Sequence, residues 1–95
     1  MVTHVVLFKL RERSAAAIQS TAAVLMEMEG KIPMLRSIEV GVDEVHSERS
    51  YDLSLITRFE TWDDLEAYRV HPVHGRVLSH LQKMVAHSVV VDYEA

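Results

Sequence analysis

The stretch that decides the fold is Val2–Leu10, VTHVVLFKL. Its β-branched and aromatic residues mark it as a strand. Side chains alternate across a strand, so His4, Val6, Phe8 and Leu10 share one face while Thr3, Val5, Leu7 and Lys9 share the other. Both faces are substantially apolar. Helices packed on one side of a sheet would cover only one of them, so the other needs a cover of its own.

Working outward, Ser14 is placed to cap a helix running to about Glu29, with Ile18, Ala22, Leu25 and Met26 on one stripe. Gly30 and Pro33 end it. Ser37–Val45 alternates as a strand, with Ile38, Val40 and Val42 on one side. Tyr51–Phe59 reads as the next strand, with Tyr51, Leu53, Leu55, Thr57 and Phe59 on one parity. Thr61 and Asp64 form a variant capping box that opens a short helix, whose inward face carries Trp62, Leu65 and Tyr68. His71–Pro72 breaks that helix and starts another, because proline suits a first helical position. The new helix has a buried stripe of Val77, Leu78, Leu81, Met84 and Val85, and Ser88–Tyr93 is the last strand.

This order is β-α-β-β-α-β with the second helical region split at Pro72. It is the ferredoxin-like α+β pattern, a four-stranded antiparallel sheet with helices on one face. The last strand, SVVVDY, is also apolar on both parities. An uncovered apolar sheet face is a liability in a monomer. The expectation is therefore a homodimer packed through the open sheet face.

The 95 residues make one small domain, 1–95, without a cysteine to supply a disulfide or a thiolate metal site. Fourteen acidic residues against ten basic give a net charge of -4, and no basic run exists, so nucleic acid is not the expected partner. The apolar runs are too short for a membrane span, and no signal-like leader opens the sequence. The reading is a soluble cytoplasmic domain.

The chemistry-bearing residues cluster in AYRVHPVHGRV, Ala67–Val77. A metal reading of His71 and His74 lacks an obvious third and fourth ligand for zinc, although His4, Asp92 or Glu94 could converge on them in the fold. No metal or other cofactor is expected. His71 precedes Pro72, where helical angles are disfavoured, and so reads as the helix N-cap. His74 falls near N3, where the positive end of the helix dipole disfavours protonation. A histidine there stays neutral near pH 7, which suits a base or a hydrogen-bond acceptor. His4 sits in an otherwise apolar strand, and Tyr68 turns its hydroxyl inward, so each needs a polar partner or a cavity. Two histidines and a tyrosine around an apolar cavity are suited to moving protons on a carbonyl compound. Separate structural roles for the three remain open at this point. His46, His80 and His87 have no convergent neighbours in the sequence pattern, and the Met26, Met28 and Met34 cluster reads as core filling.

The opening THVVLFKL, the central Ile32–Pro33 and Val40–Gly41, the run YDLSLITRFETWDDLEAYRVHPVH over 51–74 and the closing VDYE together resemble the stress-responsive A/B barrel domain (Dabb) family. The resemblance spans nearly the whole chain. It implies a ferredoxin-like subunit paired through open sheet faces into a dimeric α+β barrel. One plant branch of the family is similar to polyketide cyclases, which close a ring by an aldol step without a cofactor. Carried over residue by residue, His74 would be the base, Tyr68 would orient the carbonyl oxygen, and His4 would line and polarise the pocket. The expected pocket walls are Val6, Phe8, Ala22, Leu25, Met26, His71, Val77 and Leu78. Ala22, Leu25 and Met26 stand where that branch has bulky aromatics, so the substrate differs. Three function classes stay open at the level of sequence. They are a small-molecule pocket with acid–base chemistry, a non-enzymatic structural dimer, and a cofactor-free monooxygenase of related fold.

Overall fold

The computed structural model describes residues 1–95. Its elements are β1 (Val2–Leu10), α1 (Ala15–Met26), β2 (Ser37–Val42), β3 (Leu53–Phe59), α2 (Trp62–Arg69), α3 (Pro72–Met84) and β4 (Val85–Glu94). They build one sheet of order β2-β3-β1-β4, antiparallel throughout. This is the ferredoxin-like arrangement, with the second helical region divided in two at Pro72.

Local chemistry sets the helix starts. Ser14 Oγ accepts from the Ala17 amide at 3.2 Å, Thr61 Oγ1 from Asp64 at 3.1 Å, and His71 Nδ1 from Val73 at 3.1 Å. Each satisfies one of the amides a helix leaves unpaired at its N-terminus. Pro72 at N1 has no amide to leave unpaired.

Several boundaries differ from the sequence reading. α1 ends at Met26 rather than near Glu29 and continues as turns with i→i+3 bonds, Glu27 to Val24, Met28 to Leu25 and Glu29 to Met26. These turns close at Gly30, whose φ of 75° suits a residue without a Cβ. The tighter winding brings Met28 into the core at 1% exposure, whereas Met26, the last residue of the regular helix, lies at the edge of the buried stripe and is 38% exposed. β2 stops at Val42, because the Asp43 carboxylate accepts from the His46 amide at 2.8 Å and starts a turn. β3 begins at Leu53. Just before it the buried Asp52 carboxylate accepts from the Leu10 amide at 2.8 Å and from Arg13 Nε at 3.0 Å, fastening the end of β1. β4 starts at Val85, directly after α3, because Val85 takes extended angles (φ -92°, ψ 127°) instead of finishing the helical stripe. Trp62 does not join the inward face of α2. It is 44% exposed and donates from Nε1 to Glu94 Oε1 at 2.7 Å.

The core lies between the helices and the β1/β3 half of the sheet. Leu25, Met28, Phe59, Leu65 and Tyr68 are almost wholly enclosed there. Each such side chain contributes roughly 1.5–3 kcal/mol over its exposed state. The edge strand β4 is different. Val89, Val90, Val91 and Tyr93 are all exposed, and no helix of the chain is long and apolar enough to cross a membrane.

Candidate functional site

The site starts from a row of cross-strand partners on the helix-covered face. Strand register sets Thr57 of β3, His4 of β1 and Asp92 of β4 side by side. His4 is buried, and its Nδ1 hydrogen-bonds Asp92 Oδ1. With Nδ1 turned toward β4, Nε2 lies on the opposite side of the ring. On the other flank, Thr57 Oγ1 is fully buried and has no hydrogen-bond partner.

Tyr68 comes from the last turn of α2 and is 1% exposed. Its ring sits 6.3 Å from the His4 ring, 5.0 Å from Phe59 and 4.5 Å from His74. The hydroxyl donates only to Met28 Sδ at 3.6 Å, a weak acceptor. Burial pushes the Tyr68 hydroxyl up to about 12, against a smaller opposing effect from the Arg69 charge. It therefore keeps its proton across the physiological range.

His74 is the third residue of α3, as the proline break predicts. Its Nδ1 lies 3.1 Å from the Arg69 carbonyl oxygen. A carbonyl can only accept, so Nδ1 carries the proton and donates, leaving the Nε2 lone pair free. Burial is the main cause that lowers the His74 pKa. The Arg69 hydrogen bond works the other way, and the charges of His4, Arg69 and His71 depress it further. His74 is thus a neutral imidazole near pH 7.

These three residues border one cavity of about 160 Å³, otherwise lined largely by apolar side chains. Of the expected walls, Val6, Phe8, Leu25, Val77 and Leu78 line it. Ala22, Met26 and His71 do not. Met28 takes the place expected of Met26, for the reason given by the α1 turns. His71 is occupied as the cap of α3, and Ala22 packs against the core without reaching the cavity. A larger open groove of about 450 Å³ shares the walls Phe8, Leu78, Leu81 and Ser88 and continues past Gln82 and His87. No group of three or more His, Asp or Glu side chains gathers in a way that could hold a metal ion.

Asp92 and Arg69 are site residues to which the sequence reading gave no role in the polar trio. Asp92 stood out only in the closing DY and as a group that could converge with His4, and its actual pairing with His4 depends on a strand register across 88 positions. Arg69 carries no sequence signal that sets it apart from the other helix cations. Its guanidinium Nη2 lies 3.6 Å from Asp92 Oδ2.

The model of the stress responsive A/B barrel domain family matches residues 2–95. A dimeric ferredoxin-like protein of unknown function from Bacteroides fragilis superposes with a TM-score of 0.84 at 30% identity, covering 99% of this chain and 95% of that one. A second dimeric ferredoxin-like protein of unknown function, from Jannaschia, gives 0.78 at 25% identity, with 99% and 98% covered. The hydroxynitrile lyase of Passiflora edulis gives 0.82 at 15% identity, with 97% and 90% covered, and shares the fold. No curated protein matches the chain.

Proposed function

From the premise that the chain belongs to the stress responsive A/B barrel domain family, we propose that it is a cytoplasmic homodimer whose subunits each bind a small apolar or aromatic oxygenated compound. In each subunit, the pocket performs cofactor-free acid–base chemistry of the aldol type. The observation that carries this reading is the Tyr68 hydroxyl, buried at the cavity and matched only to a thioether sulfur. A hydroxyl held for packing alone finds a better acceptor when it is buried. A carbonyl oxygen in the cavity would supply one.

The chemistry follows from the protonation states. His74 Nε2 takes the proton from a carbon next to a carbonyl, and the C–H electron pair moves into an enolate. The enolate oxygen accepts a hydrogen bond from Tyr68, whose raised pKa keeps it a donor. The enolate carbon then attacks a second carbonyl carbon of the same molecule, and the resulting alkoxide takes back the proton from His74. His4, held by Asp92, polarises the pocket wall. Dimerisation is supported by the exposed apolar residues of the open sheet face and by the dimeric state of the two related proteins of unknown function.

The test is a thermal-shift screen with phenols and linear β-diketones on the wild type, His74→Ala and Tyr68→Phe. A compound at about 100 times its Kd stabilises by roughly 2.7 kcal/mol, a shift of several degrees in a domain of this size. The expected result is a shift in the wild type that both variants lose while their own melts stay cooperative. If no compound shifts the wild type and His74→Ala collapses the fold, the polar trio serves packing and the chain is a structural dimer.

A further inference from the structure

Both histidines of the site lead back to one residue, Arg69. Its carbonyl lies in the last turn of α2, where helix carbonyls have no partner within the helix, and this one accepts from His74 Nδ1 at 3.1 Å. Its guanidinium Nη2 reaches Asp92 Oδ2 at 3.6 Å, while the other oxygen of the same carboxylate holds His4. The Arg69 backbone thus fixes the tautomer of one histidine, and its side chain steadies the partner of the other. The Asp92 carboxylate is partly open to solvent, with its side chain 23% exposed, and Arg69 holds the oxygen that His4 does not.

We propose that Arg69 is the positioning residue of this site, coupling His4 and His74 by pinning the end of α2 to β4. This rests on the pocket reading given above, and it deepens that reading by naming what holds the two imidazoles in register. Arg69 itself does not line the cavity. The groups facing His74 are Tyr68 and Arg69 from α2, His4 from β1 and His71 at the start of its own helix. Glu66, one turn back on α2, lies 3.4 Å from Arg69 Nε and shares the guanidinium with Asp92, which meets Nη2. An exposed ion pair is weak taken alone. Here the pair matters through geometry, because Asp92 is at the same time the acceptor for a buried ring.

The experiment is imidazole ¹⁵N–¹H correlation spectroscopy on the full chain without ligand, comparing wild type, Arg69→Met and Arg69→Lys, with a thermal melt of each. Arg69→Met keeps the apolar stem and removes the charge. The expected result is loss of the slowly exchanging His4 Nδ1–H signal together with an upward move of the His74 titration midpoint. The upward sense follows because a nearby cation disfavours imidazolium. Arg69→Lys restores the direction of both effects in part, since it returns the charge without the planar fork. His4 and His74 signals unchanged in a folded Arg69→Met protein would overturn the proposal. So would a uniform loss of all histidine signals in step with a lowered melt, since that marks a general structural role. The pocket reading fails separately. If Arg69→Met moves both histidines but no compound binds at His74, the coupling stands and the pocket chemistry does not.

Discussion

On the helix-covered face of β3, Leu53, Leu55, Thr57 and Phe59 are 0–3% exposed. On the opposite face of β4, Val89, Val91 and Tyr93 are 42–55% exposed. The residue types are similar, so side-chain chemistry does not explain the difference. Layering does. α1, α2 and α3 cover one side of β1 and β3 but do not reach over the edge strand β4, whose Val90 on the His4 side is 58% exposed, and no helix lies on the other side. One face is completed by the chain itself, while the other carries the same apolar character into contact with solvent or a second copy.

The largest expected effect tests the completed face. Phe59→Ala removes a fully enclosed ring beneath Tyr68, and loss of a core phenylalanine costs about 3–5 kcal/mol. Against the marginal stability of a small domain, that is enough to unfold much of the population, which chemical denaturation would show. A loss near 1 kcal/mol would mean that the helix-covered face is less complete than its burial indicates.

Val91→Lys addresses the open face. It places a charge in the middle of the exposed β1/β4 surface, opposite Val5. Light scattering should show the proposed dimer shifted toward monomer, with Kd raised at least tenfold, about 1.4 kcal/mol. A wild type that is monomeric at every concentration would erase the contrast between the faces as a source of assembly.

The smallest effect concerns pH. The folded His74 pKa lies below that of the unfolded chain, so the unfolded state binds more protons as pH falls. The stabilisation from neutral His74 is complete above the unfolded imidazole value of about 6.5 and is progressively lost below it. Melting temperature followed between neutral and mildly acidic pH should therefore decline less in His74→Asn than in the wild type. Equal declines would place His74 outside the covered face.

The comparison also shows how far the residues could be read in advance. VTHVVLFKL exposed its two apolar faces because a strand has a period of two, and that pattern survives any tertiary context. His71–Pro72 placed His74 at N3 because proline fixes the backbone locally. Met26 is turned out rather than into the pocket wall, while Met28, read as core filling, is in the core and also lines the cavity. The tightened end of α1 carries Met28 inward, and the sequence has no strong sign of that. Trp62 was misjudged because its exit to Glu94 depends on where β4 ends.

Local pattern, which depends on φ/ψ preference and residue spacing, was thus enough to settle the element order, the two-sided strands and the place of His74 at N3. The neutrality of His74 comes chiefly from burial in the fold rather than from the helix dipole. The tertiary structure alone decided that Asp92 meets His4, that Arg69 reaches both histidines, and that Thr57 is left buried without a partner. The physical reason is register. Which residues of β3 and β4 flank His4 depends on the pairing of segments far apart in the chain, and a shift of one position would turn every one of them to the other face.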